Sequence, residues 1–215
     1  MTSRHMPSAE RTAAIIVCGG QSSRMGHDKA LLQIGSTTFL QRIISTVRQA
    51  LPSAEILVAA AVDQQLPPLP KGLKVCRDSE PNAGPLEGVR AGLQALSCVP
   101  CRVFLTGCDT PLLQPGVISL LFEQSDQAAA VLPVDGTREF PLCSVIHSSL
   151  LEAIDSMLAS GERRLRQLYC HSAVRRIPVD VLRTADPQLL SLHNVNSADD
   201  YQALMMQLKA EQKPC

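Results

Sequence analysis

Short apolar runs alternate along this chain with segments that carry apolar residues at helical spacing. The run 13–17 is rich in β-branched residues, which is typical of a strand buried on both faces. In 40–51, apolar residues recur every three or four positions, as on one face of a helix, and Pro52 ends the pattern. Strands are predicted at 13–17, 55–62, 75–76, 103–106, 128–134 and 174–179. Helices are predicted at 40–51, 86–96, 115–123, 148–159, 163–169 and 197–208.

Strands and helices alternate in this pattern almost throughout. Such alternation predicts an α/β protein with a doubly wound, mostly parallel sheet and helices on both faces. Ligands of such sheets bind beyond the carboxyl ends of the strands. Polar groups follow three predicted strands: a glycine-rich segment after the first, Arg77 and Asp78 after the third, and 107–111 after the fourth. We therefore expect the functional site at this edge of the sheet.

Length and charge narrow the class of protein. At 215 residues the chain can bury the core of one domain, and we expect a polar tail at 1–12 and a single domain at 13–210. Twenty basic and twenty acidic residues leave no net charge to hold a nucleic acid. The polar start lacks the apolar part of a secretory signal, and no apolar run reaches the ~20 residues that span a bilayer. These features predict a cytoplasmic protein without nucleic acid or membrane partners.

Eight cysteines are spread along the sequence. Cys18, Cys76, Cys108 and Cys143 lie within or beside apolar runs, which predicts that most are small residues of the core. Cys98 and Cys101 have C-x-x-C spacing, but no second pair completes a zinc site, and Pro100 does not suit a thioredoxin-like helix. We expect both to be loop cysteines. Cys170 and His171 are a lone adjacent pair, which favours a solvated helix end over metal ligands.

The segment 15–32 combines a buried strand with residues that suit phosphate groups. Gly19 and Gly20 allow a sharp turn whose successive N–H groups can face an anion. Arg24 adds a planar fork of donors and Lys29 a mobile charge, a pairing typical of phosphate sites. The glycine spacing fits neither a Walker A loop nor the dinucleotide fingerprint. The segment therefore predicts nucleotide binding through another kind of loop, and a charged surface turn is the alternative.

Asp109 follows the predicted strand 103–106 in a tight turn with Pro111. A carboxylate there can hold Mg²⁺ bridging substrate phosphates, since Mg²⁺ takes one or two carboxylates plus substrate oxygens and water. A turn cap is the simpler explanation for Asp109 alone, but beside the glycine-rich segment a metal site is favoured. Asp78 is a further candidate, although Asp before Ser is also a common turn sequence.

Three further segments could contact ligands. Residues 82–88 place glycines and a proline before a helix, which lets a ligand or a neighbouring strand approach the backbone. Residues 161–166 are cationic and could bind a phosphate-bearing second substrate, although a solvated helix face has the same composition. Residues 193–197 carry two asparagines in an extended segment, and Ser197 with Asp200 resembles a capping box.

Five motifs occur along the chain in an order known from one enzyme family. They are VCGGQSSRMGHDKALL at 17–32, GPLEG at 84–88, CDTP at 108–111, GERR at 161–164 and NVNS at 194–197. Together they resemble the molybdenum cofactor guanylyltransferases of the MobA family, from about Ala13 to Leu208. Other nucleotidyltransferases share the first motif, whereas the whole set is more specific.

The resemblance implies a three-layer Rossmann-like fold and a reaction of Mg-GTP with molybdopterin-bound molybdenum. The products would be the guanine dinucleotide cofactor and pyrophosphate, and a molybdoenzyme apoprotein or a chaperone could receive the cofactor. By motif position, Lys29, Arg24 and Asp109 would be catalytic, with Asp109 on Mg²⁺. Substrate contacts would come from Val17, Cys18, Gly19, Gly20, Lys29, Asp78, Gly84, Pro85, Leu86, Asp109, Asn194 and Asn196.

Within that set the resemblance assigns Asp78 to guanine or its surroundings and the two asparagines to the neighbourhood of the pterin. The Gly-Gly pair favours GTP, since cytidylyl relatives tend to have Ala-Gly there. The sequence departs from the family at 57–61, which offers no asparagine, at Cys18, where alanine is usual, and at 140–143. These departures bear on the choice of base.

Other functions fit parts of the same pattern. A cytidylyltransferase or a sugar-phosphate nucleotidyltransferase could use the same loop with another acceptor. A non-catalytic nucleotide-sensing module could keep the fold, but intact Lys29 and Asp109 argue against it. A nicotinamide-dependent oxidoreductase fits the alternation and lacks its fingerprint.

Overall fold

The structure is a computed structural model that describes residues 11–18, 28–78, 84–171 and 173–211. Over these residues the central sheet has eight strands, and a two-stranded sheet of β2 and β3 stands apart. The strands are β1 (Arg11–Val17), β2 (Gln33–Ile34), β3 (Thr37–Thr38), β4 (Glu55–Ala60), β5 (Lys74–Arg77), β6 (Cys101–Gly107), β7 (Ala130–Asp135), β8 (Arg138–Glu139), β9 (Cys143–His147) and β10 (Val174–Pro178). The α-helices are α1 (Phe39–Ala50), α2 (Pro85–Ala95), α3 (Pro115–Glu123), α4 (Leu151–Ala159), α5 (Leu168–His171) and α6 (Ala198–Glu211).

The strands of the central sheet follow the order β10-β7-β9-β6-β1-β4-β5, and β8 pairs with β7. Strand β1 is parallel to β4 and β6, β4 is parallel to β5, and β7 is parallel to β10. Strand β9 runs antiparallel between β6 and β7. The sheet is therefore mostly parallel, and the predicted α/β class is confirmed.

Helices cover both faces of the sheet because the strands send alternate side chains to opposite sides. In β1, Ala14 and Ile16 belong to the core that also contains the buried faces of α1 and α3. Ile15 and Val17 belong to the core formed with α2 and α4. A smaller apolar cluster that includes Leu204 holds α6. These layers match the three-layer arrangement that the resemblance implies.

Helix α2 approaches β1 closely through two glycines. A Cβ atom on Gly92 would lie 2.7 Å from Cδ1 of Ile15, and one on Gly88 would lie 3.3 Å from Cγ1 of Val17. A neighbouring strand, one of the two alternatives for the glycines of 82–88, therefore accounts for Gly88. This contact fixes the start of α2 relative to the end of β1.

Several boundaries differ from the prediction. Strand β4 ends at Ala60 rather than at Val62, which is 40% exposed. The helix predicted at 148–159 begins with a 3-10 turn, Ser148–Leu150, before α4. The pattern does not predict β9, a short strand that is buried over four of its five residues. Because β9 runs antiparallel to β6 and β7, the sequence pattern also fails to predict the antiparallel part of the sheet.

Of the four cysteines predicted beside apolar runs, three are buried and Cys76 is half-buried. Cys18, Cys101, Cys108 and Cys143 are buried. Cys101 is, however, the first residue of β6, so the expectation that it lies in a loop is wrong. No helix within the described residues is long and apolar enough to cross a membrane.

Candidate active site

The carboxyl ends of β1, β4, β5 and β6 lie side by side, and hydrogen bonds continue one residue beyond them. The amide of Cys108 donates to the Val17 carbonyl at 3.1 Å, and the amide of Asp78 donates to the Ala60 carbonyl at 3.0 Å. These bonds fix the chain where it leaves the sheet. The polar segments after β5 and β6 therefore share one edge with the start of the glycine-rich segment, as predicted.

Asp109 is held by two segments that are distant in sequence. In its own turn, Oγ1 of Thr110 donates to the Gly107 carbonyl at 3.2 Å. From the segment before α6, the amide of Val195 donates to the Asp109 carbonyl at 2.8 Å, and Nδ2 of Asn194 donates to Oδ2 of Asp109 at 3.2 Å. The side-chain amide of Asn194 thus orients one oxygen of the Asp109 carboxylate.

Lys29 faces the same carboxylate. Its Nζ atom lies 3.6 Å from Oδ2 of Asp109, and both side chains are 17% exposed. The same Nζ donates to Oδ1 of Asn196 at 2.7 Å. Asn194 and Asn196 therefore present their side-chain amides to different neighbours, Asp109 and Lys29. Together the four residues form a compact polar group, which we call the Lys29–Asp109 centre.

The second oxygen of Asp109 is available to a ligand. Its Oδ1 is buried and has no hydrogen-bond partner among the residues that the structure describes. A buried carboxylate oxygen without a partner is costly, and a bound cation removes that cost. The described parts of the chain contain no group of three His, Cys, Asp or Glu side chains that could hold a metal ion. Asp109 therefore suits a cation such as Mg²⁺, which accepts one protein carboxylate plus substrate oxygens and water.

Asp78 lies at the end of β5 and is 8% exposed. Burial, and then the Glu87 carboxylate, raise the pKa of Asp78 to about 6. Glu87 accepts a hydrogen bond from Nε of Arg90 at 2.7 Å, which balances part of the local charge. At neutral pH Asp78 is therefore an ionised acceptor in a poorly solvated place, which suits the donor edge of a ligand.

A cleft of about 650 Å³ adjoins the Lys29–Asp109 centre. It shares Asn194 and Asn196 with that centre, and the predicted contact residues Gly84 and Pro85 also line it. Guanidinium groups bind phosphate and carboxylate groups through planar pairs of donors. The arginines that line the cleft are Arg138, Arg163, Arg164 and Arg166.

Three of these arginines also bond to the protein, and one of them is Arg166, whose Nε pairs with Glu139 at 3.2 Å. Nη1 of Arg163 donates at 2.8 Å to the Leu158 carbonyl near the end of α4, which also accepts the amide of Gly161 at 3.0 Å. Arg164 forms an ion pair with Glu162 at 2.8 Å. Arg138 lies with its guanidinium over an aromatic ring of the cleft wall. The cationic patch predicted at 161–166 is therefore at the cleft, and part of it serves the local structure.

The remaining predicted contacts divide into three groups. The side chains of Val17, Cys18 and Leu86 are buried in the cores, so only their backbone could meet a ligand. Gly84 adopts a φ of +83°, which favours glycine, at the start of α2. The predicted residues in the segment 19–27 lie outside the described residues, so their roles stay predictions. They are Gly19, Gly20 and Arg24.

A comparison with protein families decides the class. The sequence model of the MobA-like NTP transferase domain matches residues 14–176. The chain belongs to the MobA-like nucleotidyltransferases. Proteins named probable molybdenum cofactor guanylyltransferase agree: that of Mycobacterium tuberculosis is 34% identical over 204 residues, covering 93% of this chain and 96% of that protein. That of Mycobacterium marinum is 35% identical over 196 residues, covering 89% and 92%.

Solved structures share the fold of this MobA-like chain. A molybdopterin-guanine dinucleotide biosynthesis protein A from Archaeoglobus fulgidus superposes with a TM-score of 0.73 at 18% identity, covering 93% of this chain and 99% of that one. A 2-C-methyl-D-erythritol 4-phosphate cytidylyltransferase from Thermus thermophilus gives a TM-score of 0.66 at 18% identity, with the same coverage. These structures show the Rossmann-like fold, and the family match shows that the chain is a nucleotidyltransferase.

Two features of the MobA-like site escape sequence reasoning. Gln64 bonds to both sides of the glycine-rich segment, although by sequence it is an ordinary turn residue after β4. Tyr169 OH lies 2.7 Å from Oγ of Ser144 and donates to the Pro141 carbonyl at 3.2 Å, which fixes the loop that forms one wall of the cleft. The available signals were a glutamine four residues after the end of β4 and a tyrosine at helical spacing from Leu165.

Proposed function

We propose that this nucleotidyltransferase moves GMP from GTP to the terminal phosphate of molybdopterin that carries molybdenum, and releases pyrophosphate. The observation that carries the proposal is the convergence of Lys29, Asn194 and Asn196 on Asp109, between the nucleotide edge of the sheet and an arginine-lined cleft. Relatives named probable molybdenum cofactor guanylyltransferase support the choice of substrates. In this proposal residues 13–210 form a single nucleotidyltransferase domain.

The two substrates would occupy different sides of the Lys29–Asp109 centre. The nucleotide would lie along the ends of β1, β4 and β5, where parallel sheets bind ligands. The acceptor would enter the cleft, where Arg138 can bind its anionic groups, whereas Arg166 is paired with Glu139. Asn194 and Asn196 line the cleft and touch the centre, so they would meet the acceptor beside the reacting phosphates.

The chemistry needs no nucleophile from the protein. An oxygen of the acceptor phosphate, already an anion at neutral pH, attacks the α-phosphorus of GTP in line and forms a new P–O bond. The bond from the α-phosphorus to the bridging oxygen breaks, and that oxygen leaves with the β- and γ-phosphates as pyrophosphate. The protein therefore contributes position and charge neutralisation.

We assign this neutralisation to named groups. Lys29, whose Nζ lies within the centre, would bind the departing β- and γ-oxygens together with Arg24. Asp109 would hold Mg²⁺ through Oδ1, which has no hydrogen-bond partner in the described parts of the chain. When bound, Mg²⁺ would neutralise phosphate charge and align the oxygens.

Base selection would rest on Asp78. An ionised carboxylate can accept both N–H groups on the donor edge of guanine, and cytosine lacks that pair of adjacent donors. Val58 to Ala61 provide only apolar side chains at the end of β4, so no asparagine contributes from that strand. This absence is the one observation that favours a second candidate, a cytidylyltransferase.

The first experiment is a thermal shift of the purified protein with Mg²⁺ and each of GTP, CTP, ATP and UTP. Ligand binding to the native state raises the melting temperature by mass action. We expect a shift selective for GTP, followed by pyrophosphate release when molybdenum-loaded molybdopterin is added. A shift selective for CTP would replace the proposal with cytidylyl transfer. Release of pyrophosphate with a sugar phosphate, and none with the pterin, would replace the acceptor.

A further inference from the structure

The side-chain amide of Gln64 joins three parts of the nucleotide edge. Its Oε1 accepts a hydrogen bond from the amide of Ala61 at 3.1 Å. Its Nε2 donates to the carbonyl of Cys18 at 3.0 Å and to Oδ1 of Asp28 at 2.9 Å. Cys18 immediately follows β1, and Asp28 immediately precedes the helical turn that begins at Lys29.

These bonds define the orientation of the amide and consume its donors. A primary amide has two N–H donors, and both point to groups that only accept, a carbonyl and a carboxylate. The oxygen must then face the Ala61 amide, which only donates. Gln64 therefore has no N–H left for a nucleotide base. Its bonding instead suits a residue that holds other residues in place.

Gln64 is itself anchored to the sheet. The backbone amide of Gln64 donates to the Ala61 carbonyl at 3.2 Å. Nη1 of Arg77, the last residue of β5, donates at 2.8 Å to the carbonyls of both Ala61 and Gln64. The turn after β4 is therefore tied to β5, and the amide extends from a fixed backbone rather than from a free loop.

The bond to Asp28 leads directly to Lys29. The oxygen of Asp28 that accepts from Gln64 also accepts from the amide of Ala30 at 2.9 Å, which caps the turn Lys29–Leu31. The carboxylate of Asp28 is thus held from both sides. A shift of this carboxylate would rotate the turn and move Nζ of Lys29 relative to Asp109 and Asn196.

We propose that Gln64 is a positioning residue for phosphate binding. It fixes the distance between Cys18 and Asp28, the two described residues that flank 19–27, and through Asp28 it orients Lys29. The inference rests on the proposed role of Lys29 at the phosphates, but not on the identity of the base or of the acceptor. It also gives a function to the turn after β4, where the family asparagine is absent.

The test uses inorganic pyrophosphate with Mg²⁺ as the probe, titrated calorimetrically into the full-length protein. Gln64→Ala should weaken pyrophosphate binding roughly tenfold to a hundredfold, the scale for losing hydrogen bonds that include one to a charged group. Gln64→Met keeps the length of the side chain and removes the same hydrogen bonds, so we expect the same loss of affinity. This variant takes the place of Gln64→Ala if the alanine variant folds poorly. Gln65→Ala, at the exposed neighbouring glutamine, should bind like the wild type.

A double-mutant cycle with Lys29→Ala separates positioning from general structural support. If Gln64 acts through Lys29, Gln64→Met in the Lys29→Ala background should change pyrophosphate affinity by less than about twofold, because coupled residues are not additive. The same loss in both backgrounds, or wild-type affinity in the single variants, would overturn the proposal. Absence of pyrophosphate binding by the wild type would overturn it too. Binding that depends on Gln64, without GMP transfer to the pterin, would instead reject only the proposed function.

Discussion

A Cβ atom placed on Gly107 would lie 2.5 Å from Oδ1 of Asp109. Gly107 is the last residue of β6, and its φ is not in the left-handed region, so the backbone does not require glycine there. Glycine is required at this position because of the side chain of Asp109. The Asp109 oxygen that we assign to Mg²⁺ occupies the space that the Cβ atom of any other residue at position 107 would need.

Gly107→Ala should therefore impair catalysis more than stability. The carboxylate can rotate away from the new methyl group, but it then leaves its place in the site. Since misplacement by about 1 Å can cost a hundredfold in rate, we expect kcat to fall roughly tenfold to a hundredfold. Steady-state pyrophosphate release measures this effect.

Gly92→Ala is the matched control, because its Cβ would meet three atoms of Ile15 within 3.0 Å, inside the core. It should lower the free energy of unfolding by about 1–3 kcal/mol and leave kcat unchanged at a temperature where it is folded. Equal kcat in Gly107→Ala and the wild type would show that the carboxylate does not need this place.

Lys29→Ala should slow turnover by about a hundredfold or more, the scale for removing one well-placed donor at developing charge. The melting temperature should change little, since the ion pair with Asp109 and the hydrogen bond to Asn196 are both partly open to solvent, where such contacts contribute little. Lys71→Ala, at an exposed lysine, serves as the control. Turnover like that of the wild type would remove Lys29 from the mechanism.

Asp109→Asn should abolish Mg²⁺-dependent transfer. The amide keeps the size of the side chain but cannot supply the anionic oxygen that a hard cation prefers. Pyrophosphate release is measured over a Mg²⁺ titration, with exposed Asp126→Asn as the control. A normal Mg²⁺ dependence in the Asp109 variant would contradict its assignment as the metal ligand.

Asp78 should make stability depend on pH. Burial and the Glu87 carboxylate raise its pKa from 3.8 to about 6. The folded state therefore binds the proton more tightly, and the stabilisation is complete below pH 3.8 and is lost as pH rises through about 6. The amide in Asp78→Asn does not ionise, so its folding stability does not fall as the pH rises. At pH 8 the variant should therefore be more stable than the wild type by about 1–3 kcal/mol.

Urea denaturation at pH 8 and at pH 4.5 tests this sign. The advantage of Asp78→Asn should shrink at the lower pH, whereas exposed Asp63→Asn should show no such trend. The same Asp78 variant should bind GTP more weakly, because it loses the anionic acceptor. A variant that is less stable at pH 8 would refute the raised pKa.

Periodicity predicts the elements that cover the sheet because each helix must bury one apolar stripe. Helix α3 has the predicted bounds, Pro115–Glu123, and the capping pair is also found: the amide of Asp200 donates to Oγ of Ser197, and the amide of Ser197 donates to Asp200. Strand β9 escapes because five residues that include Ser144 and His147 show neither clear alternation nor a long apolar run. Its place depends on pairing with β6 and β7, which no local pattern encodes.

The candidate site was predictable only in part. Asp78 and Asp109 follow from the rule that polar residues after parallel strands meet at one edge. The bond from Lys29 to Asn196 joins residues 167 positions apart, and only the fold determines that distance. Gln64 escapes for another reason: its amide acts on the backbone and on Asp28, so its sequence context is that of a simple turn.

The antiparallel strand β9 also separates the strand ends that carry the aspartates from the connection that lines the cleft. Asp109 follows β6, which is paired on both sides, and Asp78 follows the edge strand β5, which pairs in parallel with β4. The cleft wall with Arg138 and Phe140 lies instead on the connection between β7 and β9, outside the parallel strands that the two aspartates follow. Under the proposed function, evolution could exchange the acceptor by rewriting this one connection and leave the chemistry of nucleotide transfer as it is.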